Sequence, residues 1–260
     1  MTTPFNRCVF PAPQAHELGF TLVELLVGMT IGLFLLGGVI ALFIGTKQSY
    51  SATEAASRLQ ENGRYAIEVL SREIRKAGFR PIVCFSTNAP TESIKGWNAD
   101  KDSVRISYML PDDCTKICQT TYYIADGVTG DPGLRQQTNA DCPSPNTNTN
   151  QELIEGVCDM QILYGRDENN DGRIDSYSEA KTTWSQSDWN QILALKIDLL
   201  LPSTDNNLTD APMALPFKKN ADTSSACNAK AGKDINTFVA TDKRLYRMFS
   251  TTIALRNRLP

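Results

Sequence analysis

Apolar residues crowd one continuous run near the start of the chain, residues 20–44, with Glu24 as its only ionisable group. At about 1.5 Å per residue such a run is long enough, as a helix, to cross a bilayer. Beyond it the pattern becomes periodic. Ala52, Ala55, Ala56, Leu59, Ala66, Val69, Leu70, Ile74 and Ala77 recur mostly at three- and four-residue steps, and Arg58, Glu61, Arg64, Glu68, Arg72, Glu73, Arg75 and Lys76 occupy the other face. Gly78 and Pro81 then stop the pattern. One helix is therefore predicted from about Phe20 to Ala77, roughly 85 Å long, apolar all round in its first part and amphipathic in its second. Residues 45–78 form the amphipathic continuation, and a half-buried helix needs a partner layer.

The rest of the chain supplies that layer as strands. The segments 103–109 and 120–125 lean towards β structure, with the Cys114–Cys118 stretch as a loop between them. Residues 157–165 and 192–201 are clearer. In the latter, Leu193, Leu195, Ile197, Leu199 and Leu201 fall on one face and Ala194, Lys196 and Asp198 on the other. A last strand at about 248–256 aligns Phe249, Thr251, Ile253 and Leu255. The Asn-, Thr- and Pro-rich stretch 138–151 and the stretch 202–236 read as loops. The predicted class is α+β: a long N-terminal helix on an antiparallel sheet, with residues 79–260 as the sheet domain.

The polar segment 1–19 carries Arg7 and Glu17, and no small-residue cleavage site follows the apolar run. An ordinary signal peptide has an apolar core of about 7–15 residues followed by such a site. A cut in this chain is expected before the run, between Gly19 and Phe20, leaving the helix on the mature protein. An acid inside a membrane span is costly unless paired, so Glu24 needs a partner or must reach the headgroups.

Composition narrows the chemistry. The net charge is −3, with no basic surplus to suggest nucleic acid. The single histidine, His16, lies in the leader, so the mature chain has no imidazole for a triad, a Cys–His pair or a metal site. No phosphate-cradling loop or nucleophile motif is present, and no enzyme is expected. Six cysteines follow the leader: Cys84, Cys114, Cys118, Cys142, Cys158 and Cys227. Their even number in an exported domain favours disulfides, although the sequence does not choose the connectivity. Cys114 and Cys118 also have a spacing that half a zinc site would accept.

Asp167, Asn169, Asp171, the Arg173 carbonyl and Asp175 match the first nine positions of an EF-hand-type calcium loop, with Gly172 at the sharp turn. The pattern departs at position twelve, where Ser178 stands and Glu179 comes one residue late. Two readings stay open: a loop stabilised by Ca²⁺, or a hydrated Asp-Asn-Gly turn.

Gly19-Phe20-Thr21-Leu22-Val23-Glu24-Leu25 resembles the type IV prepilin signature, in which a polar leader ends in glycine before a long apolar helix. The resemblance implies cleavage by the prepilin peptidase, N-methylation of Phe20, and pairing of Glu24 with the Phe20 amine of a neighbouring subunit. Arg72-Glu-Ile-Arg-Lys-Ala-Gly-Phe79, Ile162-Leu-Tyr-Gly-Arg-Asp167 and the stretch from Phe249 to Arg258 are similar to PilW-like minor pilins. That family implies the pilin fold and a low-abundance subunit that primes pilus assembly and sits in a tip complex. The implied partners are other minor pilins, the major pilin, the inner-membrane assembly machinery and a tip adhesin. The implied location is the inner membrane of a Gram-negative cell before assembly, and the pilus tip afterwards. A type II secretion pseudopilin, and a calcium-dependent anchored binding or adhesion protein, are the alternatives.

Overall fold

A computed structural model describes residues 19–84, 90, 92–98, 102–126, 132–142, 150–217, 229–231 and 238–258. The chain divides into two compact units, Met1–Ser49 and Tyr50–Pro260. Helix α1, Leu22–Ile74, contributes to both. In the first unit every described residue is exposed, apolar side chains included.

In the second unit, α1 buries the stripe Ala55, Leu59, Gly63, Ala66, Val69, Leu70 and Ile74. These positions are three or four residues apart, except for the adjacent Val69 and Leu70, so they fall on one side of a 3.6-residue turn. Arg58, Glu61, Arg64, Glu68, Arg72 and Arg75 lie towards the other side. The helix ends because Gly78 adopts φ 73°, a conformation that glycine reaches without a Cβ penalty. Two contacts distant in sequence satisfy its end. The Gly78 N–H donates to the Ser107 carbonyl (2.9 Å), and the Asn257 amide donates to the carbonyls of Arg75 (3.0 Å) and Ala77 (3.3 Å).

The partner layer is more divided than the single predicted sheet. A five-stranded antiparallel meander joins β1 (Ile94–Trp97), β2 (Ser103–Met109), β3 (Ile117–Asp126), β4 (Pro132–Thr138) and β5 (Asn150–Glu155) in chain order. A four-stranded sheet contains β6 (Asp159–Arg166), β7 (Ser176–Ser178), β8 (Ile192–Pro202) and β12 (Tyr246–Ala254), in the order β12-β8-β6-β7. The short helix α2 (Gln186–Asn190) precedes β8. A small third sheet pairs β10 (Ala229–Ala231), β11 (Phe238–Ala240) and β9 (Ala214–Leu215).

The main core joins Leu59, Ala66, Leu70 and Ile74 of α1 to Ile106, Tyr122 and Leu134 of the first sheet and Ile162, Leu195, Ile197 and Ile253 of the second. Asp102 ties the two sheets together. Its carboxylate is buried and accepts the Ile162 N–H at 2.7 Å, while its own N–H donates to the Met160 carbonyl at 3.1 Å.

Three expectations need correction. Residues 138–151 and 202–236 are not wholly loops, because β4, β5, β9 and β10 take parts of them. Cys118 lies within β3 rather than in the loop before it. The alternation assigned to 192–201 is incomplete, since Ala194 and Leu200 are buried as well. Leu200 belongs to a second apolar cluster with Cys158, Phe217, Phe238, Ala240 and Tyr246, to which β11 contributes, so β8 is covered on both faces.

Candidate functional site

Gly19 and Phe20 precede the first turn of α1, and Phe20 is 88% exposed. Among the described residues, an added Cβ at Gly19 would meet nothing within 4 Å. Thr21 starts the helix. Its hydroxyl accepts the Glu24 N–H (3.2 Å), and the Glu24 carboxylate accepts both the Thr21 N–H (3.3 Å) and the Thr21 hydroxyl (3.2 Å). This is a reciprocal capping box, in which two orphan donors of the first turn are satisfied locally. The signal was visible as Thr-x-x-Glu ahead of an apolar run, and the sequence reading passed over it. Both bonds to the carboxylate end on Oε2. Glu24 Oε1 has no hydrogen bond among the described residues.

From Leu22 to Ile44 the helix is apolar on all sides apart from Glu24, and α1 is long and apolar enough, by length and composition, to cross a membrane. Its few hydroxyls turn inward. Thr30 donates to the Val27 carbonyl (2.9 Å) and Thr46 to the Leu42 carbonyl (2.8 Å), which leaves an outer surface compatible with lipid or with other apolar helices. Gly28 and Gly32 have open space where a side chain would stand. At such small positions a neighbouring helix can approach closely.

The described cysteines are bridged. Cys84 joins Cys114 across a Cα separation of 5.3 Å, and Cys118 joins Cys142 across 4.5 Å. Cys114 and Cys118 thus enter different bridges, and neither thiolate is left for zinc. Cys158 is disulfide-bonded as well, and Cys227 lies outside the described residues. The first bridge ties the segment after α1 to the loop before β3. The second ties β3 to the residues that follow β4.

The acidic turn after β6 is organised by its own backbone. Asp167 is buried and its carboxylate accepts the N–H groups of Asp171 (3.1 Å) and Gly172 (2.8 Å). Asn169 Oδ1 accepts the Asp171 N–H (2.9 Å), Asp171 accepts the Arg173 N–H (2.9 Å), and Asp175 accepts the Glu168 N–H (2.8 Å). The Asn169 amide nitrogen stands between Asp171 Oδ2 (3.3 Å) and Asp175 Oδ1 (3.5 Å), a weak positive pole between two carboxylates. The Glu179 carboxylate accepts the Asn98 amide at 2.6 Å. Among the described residues no group of three or more acidic, His or Cys side chains is arranged to hold a metal ion. The oxygens are of the hard type that calcium prefers, but in this conformation they serve the turn itself.

Comparison with known proteins agrees with the N-terminal geometry. Residues 15–40 match the prokaryotic N-terminal methylation motif. Residues 121–257, more than half of the chain, match the family described as type IV pilus-assembly protein W. The pilin-like protein PilA3 of Thermus thermophilus is 31% identical over 158 residues, covering 56% of this chain and 66% of the relative, just under two thirds of its length. With an N-methylation segment leading an apolar helix and the assembly-protein region running from β3 to the last strand, the chain belongs to the type IV pilus-assembly protein W family and is a minor pilin of α+β pilin fold.

Proposed function

We propose that this minor pilin primes the assembly of the pilus and stays at its tip in a complex with other minor pilins. The observation that carries the reading is the N-terminal segment: an exposed apolar stretch of α1, residues 22–44, whose one acid, Glu24, sits a single turn from the Gly19–Phe20 bond. Cleavage there by the prepilin peptidase frees the Phe20 α-amine. In a helical stack an ammonium from one subunit meets the unused Glu24 oxygen of the next. Burying the two charges together avoids the cost that either would incur alone in an apolar core. The capping box holds Glu24 in place until that partner arrives.

The role is structural rather than enzymatic. The partners of the reading are the major pilin, other minor pilins, the inner-membrane assembly machinery and a tip adhesin, and no nucleic acid. Before assembly the subunit spans the inner membrane once. The acidic turn enters as a stabilising loop for which calcium is the fitting cation by donor type, offered by Asp167, Asn169, Asp171, the Arg173 carbonyl and Asp175. A pseudopilin of type II secretion would use the same helix and the same charge pair. A deletion strain scored separately for surface pili and for secreted enzymes decides between them. Loss of pili with normal secretion is the expected result, and the reverse sinks the proposal.

A further inference from the structure

All three tryptophans of the chain meet at one surface depression, although they come from separate segments. Local structure explains how. Trp189 is held by α2, whose N-terminus has a capping box: the Ser185 hydroxyl and N–H both donate to Asp188 Oδ2 (2.7 Å each), and the Asp188 N–H returns to Ser185 Oγ (3.4 Å). The two bonds from Ser185 hold the Asp188 carboxyl below its usual range, and it pairs with Arg166 at 3.6 Å. The Arg166 guanidinium in turn lies 6.0 Å from the centre of the Trp184 ring. Trp184 and Trp189 meet edge-on at 4.9 Å, and Tyr164 meets Trp189 edge-on at 5.3 Å. Gly96 lets β1 come close, because a Cβ there would overlap the Tyr164 hydroxyl. That approach brings Trp97 to the rim.

Core packing accounts for Trp189, which is 4% exposed, and for the half-buried Trp184. It does not account for Trp97, which is 41% exposed and has the Arg105 guanidinium 5.2 Å from its ring centre. The depression holds about 250 Å³, and Lys95, Asn98 and Lys181 supply polar groups around the indoles. Asn98 is oriented by Glu179 at 2.6 Å, and Lys181 makes no ion pair among the described residues.

We propose that this depression binds a saccharide ring. A pyranose has an apolar C–H face that suits the negative face of an indole, and a rim of hydroxyls that needs donors and acceptors. The depression offers both within one ring's reach. Its volume is below the roughly 300–1,000 Å³ of pockets for drug-sized ligands, which favours one compact ring over a folded peptide. A proline-rich peptide would instead need an extended aromatic groove. None of its lining residues belongs to the helix segment that carries assembly.

The test uses the full chain in micelles of a detergent without a sugar headgroup. Glucose, galactose, N-acetylglucosamine, glucuronate and their short β-linked oligomers are titrated while tryptophan fluorescence is followed. At least one sugar should give a saturable change. By calorimetry, Trp97→Ala and Lys181→Ala should each weaken that sugar by about tenfold or more while the melting temperature stays unchanged. Lys181→Ala keeps every indole and so separates lost binding from lost folding. Absence of a saturable response to every sugar overturns the proposal. So does unchanged affinity in both variants, or binding of a decaproline peptide in place of the sugars.

Discussion

Replacing Gly63 by alanine sets two effects against each other, and the structure decides the sign. Alanine is better than glycine inside a helix by about 1 kcal/mol. Against this, a Cβ at Gly63 would fall well inside contact distance of Cε2, Cζ and Cδ2 of Phe249 on β12. The ring is half-buried and has the Arg247 guanidinium 5.8 Å from its centre, so it must swing out or α1 must lift from the sheet. Overpacking of this kind costs about 1–3 kcal/mol. Gly63→Ala should therefore be net destabilising by about 1 kcal/mol, which for a unit of this size lowers the melting temperature by roughly 2–4 °C. In a Phe249→Ala background the obstacle is gone, and the same substitution should stabilise by about 1 kcal/mol. A double-mutant cycle measures the difference, with four full-length proteins unfolded in urea and followed by tryptophan fluorescence. If alanine at 63 stabilises the parent as much as it stabilises Phe249→Ala, the close approach of α1 to β12 has no energetic weight and the reasoning fails.

Mass spectrometry of the mature protein should find Phe20 at the N-terminus with one added methyl group; any other start removes the basis of the proposed assembly role. Glu24→Gln should leave the second unit folded, with an unchanged melting curve, yet be depleted from sheared pili, and normal incorporation would show that the charge is not used. Non-reducing peptide mapping should link Cys84 to Cys114 and Cys118 to Cys142, and should find no free thiol at Cys158. Each bridge is expected to contribute about 2–4 kcal/mol, so reduction should lower the urea midpoint. Calcium should raise the melting temperature relative to chelator through the turn at 167–175. Equal temperatures, with Asp171→Ala showing only the loss of its own turn hydrogen bonds, would assign that turn to backbone capping alone.

What the sequence determined by itself was local in cause. An apolar run with one acid, a 3.6-residue stripe from Ala55 to Ile74, and a glycine able to take positive φ at its end are each specified within a few neighbouring residues. The prepilin-like start at Gly19–Phe20 is local in the same way. So is the capping box of Thr21 and Glu24, legible as Thr-x-x-Glu ahead of an apolar run, whereas the acid is read from the sequence only for a distant partner or for the headgroups.

Tertiary structure decided everything that depends on a distant segment. β4 carries Arg135, Gln136 and Gln137 beside Leu134, and no alternation announces it. It is a strand because β3 and β5 flank it and take its backbone hydrogen bonds. β9 and β10 are two and three residues long, too short for any period to show, and their small sheet leaves Leu200 facing an apolar cluster rather than water. The cysteine pairs, the Asn257 cap on α1 and the gathering of Trp97, Trp184 and Trp189 are likewise set by chain packing. A periodic pattern states which face of an element must be buried. Only the folded neighbours state what buries it, since one apolar face can be covered by any other of matching shape.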